Sequence, residues 1–126
     1  MTRQRTILIV DDEAGIRRSL RALLDEHFKI VLCADGKRAV QFVSDNPGEV
    51  FAAFVDYAMP EMDGNAVCAK IRSLDQTISL IGFSAHEAAP FTVPLFARFL
   101  KNSGAMANVC TLAAAAVAQT TNLRAS

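Results

Sequence analysis

Four polar groups in this sequence each stand directly after an apolar run. Asp11 and Asp12, with Glu13, follow "TILIV"; Asp56 ends "VFAAFVD"; Ser84 ends "ISLIGFS"; Lys101 ends "LFARFLK". Carboxylates gathered in a partly dry cleft repel one another and rise in pKa unless a cation compensates them. With oxygen donors only and no His or Cys nearby, the favoured cation is Mg²⁺, which keeps several waters and commonly shares its shell with a phosphate. In that scheme Asp11 and Asp12 hold the ion, while Asp56 turns one oxygen to the metal and offers the other as a nucleophile toward phosphorus. Mg²⁺, the Lys101 ammonium and the Ser84 hydroxyl then stabilise the charge on a phosphoryl group from different sides.

Taken singly, each residue has a plainer role. An Asp-Asp pair after a strand is often a helix N-cap, an Asp ahead of a proline a turn initiator, a Ser a cap and a Lys a solvated surface charge. Their joint occurrence at strand ends carries the functional reading, because an open parallel sheet gathers its reactive groups outside the carboxyl ends of its strands.

The elements that must position these groups follow from periodicity. "TILIV" is short, β-branched and apolar throughout, as a strand covered on both faces is. Ile16, Leu20, Leu23 and Leu24 recur at helical spacing, with Arg17, Arg18 and Arg21 on the opposite side, predicting a helix ending near His27. "KIVLCA" reads as a second strand, "DGKRAVQFVSDNPG" as turn, helix and stop, "VFAAFVD" as a third strand, 65–74 as a third helix and "ISLIGFS" as a fourth strand. Between Ser84 and "LFARFL", Pro90 and Pro94 stand where a further helix is expected; an interior proline costs roughly 3 kcal/mol, so at most one helical turn is predicted there. "LFARFL" supplies a fifth strand, and the chain from Ser103, with Met106, Val109, Leu112, Ala113 and Val117, a last Ala-rich helix. Alternating strands and helices give an α/β fold: a doubly wound, five-stranded parallel sheet in a three-layer sandwich, flavodoxin-like, with its fourth helix shortened or missing. After Asp56 the loop "MPEMDG" must bend sharply; Pro60 fixes one dihedral, and Gly64 is expected to supply a backbone conformation closed to other residues.

Bulk properties narrow the class. A chain of 126 residues fits a single domain over 1–126, and its 52% hydrophobic and 21% charged residues can fill a core. Thirteen basic residues balance thirteen acidic ones, so no overall field draws nucleic acid or an anionic membrane, and a partner must be recognised locally. Cys33, Cys68 and Cys110 lack the paired spacing of a zinc site or disulfide framework and read as free thiols. The apolar run near the start is too short for a signal peptide or membrane span, which predicts a cytoplasmic protein. Asp-x-Asp after the first strand, expected of an aspartyl phosphotransferase enzyme, is absent from "DDE", and so is the phosphate loop of a flavin protein.

On "ILIVDDE", "FVDYAMPEMDG" and "IGFSA", the sequence resembles the receiver domain of two-component response regulators over residues 5 to 86. The resemblance implies a signalling phosphoprotein rather than a metabolic enzyme, in which Asp56 accepts a phosphoryl group from a histidine kinase or phosphotransfer protein. It implies that Asp12, Asp56 and the Ala58 backbone carbonyl ligate Mg²⁺ directly and Asp11 partly through water. Ser84 is then the switch residue, Lys101 stands for the family's lysine, and Ala58 and His86 hold the positions that modulate attack of water on the acyl phosphate. The implied partners are that phosphodonor and a downstream protein target, and a homodimer is compatible with the same picture. Three departures stand out: Asn102 replaces the proline that usually follows the lysine, Arg98 fills the slot of an aromatic residue with Phe99 one place late, and the stretch between Ser84 and Lys101 is short. They predict an altered output face in which 88–94 rearranges or stays mobile, and they give the competing reading of a pseudo-receiver scaffold that binds without phosphorylation.

Overall fold

The computed structural model describes residues 5–86, 88–101 and 103–126, so Asn102 lies outside the described residues. Five strands, β1 (Thr6–Val10), β2 (Lys29–Cys33), β3 (Val50–Asp56), β4 (Ser79–Ser84) and β5 (Ala97–Leu100), form one sheet in the order β2-β1-β3-β4-β5. Every pairing is parallel. β1 is buried along its whole length, which is why its sequence is apolar without alternation. Period-2 geometry divides it between two cores. Leu8 and Val10 face the layer of α2 (Gly36–Asp45) and α3 (Gly64–Leu74), while Ile7 and Ile9 face α1 (Ala14–Leu24) and α4 (Val109–Ala125).

The helices begin where side chains can cap them. Asp35 accepts a hydrogen bond from Arg38 N and Asp63 one from Ala66 N, each satisfying a donor that the first turn leaves free. α1 closes at Leu24, short of His27, and the following turn brings Phe28 N back to the Leu24 carbonyl at 3.1 Å. The last helical stretch opens as a 3-10 turn over Gly104–Asn108, with the Ser103 hydroxyl accepting from Ala105 N, before α4 proper. Val109, Ala113, Ala116, Val117 and Thr120 line its buried side, where alanine lets the helix approach the sheet closely.

The link between β4 and β5 departs from the helical layers. Among its described residues none is helical; instead it runs as an irregular strap over 88–96, with bends at Val93 and Phe96. Ala89, Phe91, Val93 and Leu95 turn inward, the last three packing on the same core as α2 and α3, while Ala88, Pro90, Thr92 and Pro94 are exposed. Pro90 sits in a tight turn in which Phe91 N donates to the Ala89 carbonyl at 2.9 Å, and Pro90 and Pro94 together remove two donors, which forbids a helix. The strap lies so close to the sheet that a Cβ on Gly82 of β4 would stand 2.8 Å from Leu95 Cδ1 and from the Phe91 ring. Cys33 and Cys68 are buried free thiols and Cys110 a half-buried one, as the spacing indicated.

Candidate functional site

Strand order reverses between β1 and β3, and the register there pairs Val10 with Val55. The next residue of each strand, Asp11 and Asp56, is therefore carried to the same rim of the sheet. Asp11 keeps its place through its N–H, 3.1 Å from the Cys33 carbonyl, and through the Arg17 guanidinium, which donates to the Asp11 carbonyl at 2.7 Å. Its Oδ1 accepts from Glu13 N at 2.8 Å, so the acid also holds the start of α1. Asp11 and Asp56 are buried and Asp12 exposed, and ligand oxygens of the three lie within 4.8 Å of one another.

The loop after Asp56 is shaped by contact. Gly64 N donates to the Tyr57 carbonyl at 2.7 Å, and a Cβ on Gly64 would stand 2.3 Å from the Asp56 carbonyl oxygen. Gly64 is thus required by the approach of α3 to the strand end and not, as expected, by an unusual dihedral; the left-handed backbone of this turn belongs to Glu61, at φ 68°.

Lys101 reaches the acids from the far side. Its N–H bonds the Ser84 carbonyl at 2.8 Å, extending the β4–β5 ladder by one residue. Its Nζ stands 3.0 Å from Asp11 Oδ2, 3.0 Å from Asp56 Oδ2 and 3.4 Å from Glu13 Oε1. Phe99, one residue off the aromatic slot, stacks on Phe83 at 5.5 Å within the α1 and α4 core, while Arg98 faces the strap, 5.5 Å above Phe91.

One ammonium does not balance this rim. Burial pushes Asp56 up to about 6, with Lys101 opposing the rise and the charges of Asp11 and Asp12 adding to it. Burial likewise raises Asp11, against the Glu13 N–H and Lys101. For Lys101 burial works downward, but contact with both aspartates leaves its pKa raised. The ammonium lies at hydrogen-bonding distance from Asp11 Oδ2 and Asp56 Oδ2, while Asp56 Oδ1 stays buried with no donor among the described residues, so one lysine serves two buried acids. Buried carboxylate oxygens in excess of the one ammonium, converging with Asp12, are the donor set of a hard divalent cation, and the residues present fit Mg²⁺.

Residues 7–101 match the family model of the response regulator receiver domain. The chain belongs to that family. The receiver domain is 33% identical over 84 residues to response regulator MprA of Mycolicibacterium vanbaalenii, a match covering 65% of this chain and 35% of that protein. It is also 33% identical over 79 residues to histidine kinase 2 of Arabidopsis thaliana, covering 63% of this chain and 7% of that protein. The chain thus spans about a third of MprA and a small part of the kinase. Among solved structures, the signal receiver domain of an HD domain-containing protein from Pseudomonas fluorescens superposes with a TM-score of 0.87 at 20% identity, covering 98% of this chain and 94% of that one. The response regulator TrrA of Thermotoga maritima, in complex with Mg²⁺-BeF, gives 0.76 at 23% identity, covering 89% and 98%. The expected flavodoxin-like fold with a reduced fourth helix is the one found.

Of the residues singled out in the sequence, the receiver domain brings Asp11, Asp12, Asp56 and Lys101 together. Ser84 is buried at the rim, but its hydroxyl donates to the His86 carbonyl and accepts from His86 N at 3.3 Å, closing on its own loop. His86 and Ala58 are exposed on the loops flanking the acids. Arg17, placed by periodicity on the solvent side of α1, instead folds back to the Asp11 carbonyl. Its spacing six residues beyond Asp11 gave no signal for that bond.

Proposed function

We propose that this receiver domain takes a phosphoryl group onto Asp56 from the phosphohistidine of a histidine kinase or phosphotransfer protein, and thereby changes a protein-binding surface. A carboxylate oxygen of Asp56 bonds to phosphorus as the phosphorus–nitrogen bond of the donor breaks, and the departing imidazole nitrogen keeps the electron pair and takes up a proton. Asp12, Asp56 and the Ala58 carbonyl would hold Mg²⁺, with Asp11 partly through water; when bound, the ion neutralises the acids and the charge of the phosphoryl oxygens. Lys101 supplies a fixed positive charge 3.0 Å from the acceptor carboxylate. Ser84 turns from the His86 carbonyl to donate its proton to a phosphoryl oxygen. Ala58 and His86 border the path of water to the acyl phosphate.

The observation that carries this reading is the pair of buried aspartates, Asp11 and Asp56, converging with Asp12 on one lysine, with Asp56 Oδ1 left without a donor among the described residues. A scaffold that works without phosphorylation gains nothing from that cost, which disfavours the pseudo-receiver alternative. Incubation with Mg²⁺ and acetyl phosphate tests the proposal by intact mass. A phosphoryl increment that Asp56→Asn and chelation both abolish supports it; an increment that survives Asp56→Asn overturns it.

A further inference from the structure

The strap replaces a helix, so its backbone has to find partners elsewhere, and two of its amides find them on one side chain. Asn65 Oδ1 accepts from Thr92 N at 2.7 Å and from Val93 N at 3.0 Å, while Asn65 Nδ2 donates to Thr92 Oγ1 at 2.9 Å. Asn65 stands next to Gly64, whose backbone abuts the Asp56 carbonyl, and is therefore fixed relative to the acceptor strand. A second contact joins the same parts: Tyr57, which follows Asp56, packs edge to face on Phe91 with ring centroids 5.2 Å apart. The near end of the strap is tied to the rim as well. The His86 carbonyl takes the Ser84 hydroxyl proton and also accepts Ala89 N at 3.3 Å.

We infer that Asn65 is a positioning residue coupling the acid cluster to the strap, so that occupancy of the Asp56 site loosens residues 88–96 and release of the strap in turn favours occupancy. This rests on the phosphoacceptor reading. For Ser84 to face a phosphoryl group it must give up the His86 carbonyl, which removes one end of the strap's anchorage. The Asn65 bonds oppose that movement. Coupling between two sites is reciprocal, so cutting the fastener must show at the acid cluster.

The experiment titrates beryllofluoride with Mg²⁺, following bound fluoride by NMR and amide exchange over 88–96 in the same samples. Wild-type protein is expected to bind the mimic and to exchange faster in the strap when it does. In Asn65→Ala the Thr92 and Val93 amides exchange about tenfold faster without the mimic, and half-saturation falls by about three- to tenfold. Asn65→Asp keeps the acceptor oxygen and stays near wild type on both measures, which a change of fold would not do. Binding of the mimic with no change of exchange in the strap overturns the coupling and leaves the phosphoacceptor reading standing. An unchanged half-saturation in Asn65→Ala reduces Asn65 to a local staple and also overturns it. Failure of the wild-type protein to bind the mimic removes both.

Discussion

Lys101 Nζ and Asp56 Oδ2 stand 3.0 Å apart, although the lysine follows β5 and the aspartate closes β3, with β4 between them in the sheet. The lysine side chain crosses the end of β4 and passes over the Phe83 ring at 5.5 Å to reach the acids. It is buried and touches three carboxylates, so it holds the rim together electrostatically.

Removing that charge leaves two buried aspartates without their cation. Lys101→Met is expected to lower unfolding stability at neutral pH by about 3 kcal/mol without added Mg²⁺, as loss of one partner of a buried pair does. Urea titration with and without Mg²⁺ checks this, and phosphoryl uptake in the variant should be slower by tenfold or more.

Asp56 supplies a pH signature. Its folded-state pKa is raised to about 6, so the protonated form stabilises the fold; that contribution is complete below the unfolded carboxylate range and is lost as pH rises through about 6. In chelator, Asp56→Asn should therefore be more stable than wild type at pH 7 by about 1 to 3 kcal/mol, and the two should converge near pH 4. Equal stabilities across that window would contradict the raised pKa.

Gly82 makes room for the strap. Gly82→Val pushes against Leu95 and Phe91, and the expected loss is about 1 to 3 kcal/mol, with proteolysis concentrated in 88–96 while the rest of the sheet stays protected. Limited digestion followed by mass mapping checks the location.

Ala58 is exposed two residues beyond Asp56 and too small to block or orient water. Ala58→Lys is expected to change the lifetime of the phosphorylated form several-fold, measured by decay of the phosphoryl mass increment after the donor is removed. An unchanged decay would show that this position does not control water.

The strands and the acid rim were legible because burial on both faces leaves unbroken apolar runs, and the first polar residue after such a run marks a strand's carboxyl end. Pro90 and Pro94 likewise announced the missing helix. Tertiary contacts between residues far apart in the chain left no such trace. Asn65 and Thr92 are twenty-seven positions apart and neither belongs to a periodic pattern. Arg124, in the last turn of α4, donates to the Gly48 and Val50 carbonyls at 2.9 and 2.8 Å, meets Asp75 at 3.1 Å and lies 4.3 Å above the Phe51 ring, a clamp that no local rule predicts. Gly64 was found for the wrong reason, since sequence marks the need for a glycine without telling a dihedral from a close approach.

Of the three acids on the rim, Asp56 is the one proposed to carry the phosphoryl group. That assignment is tested most directly by reducing the acetyl phosphate-treated protein with borohydride, which converts an aspartyl phosphate to homoserine, and then mapping the peptides. Homoserine at position 56, dependent on Mg²⁺, is the predicted result; homoserine at position 11 or 12, or none anywhere in a protein that carries a phosphoryl group, would contradict the account.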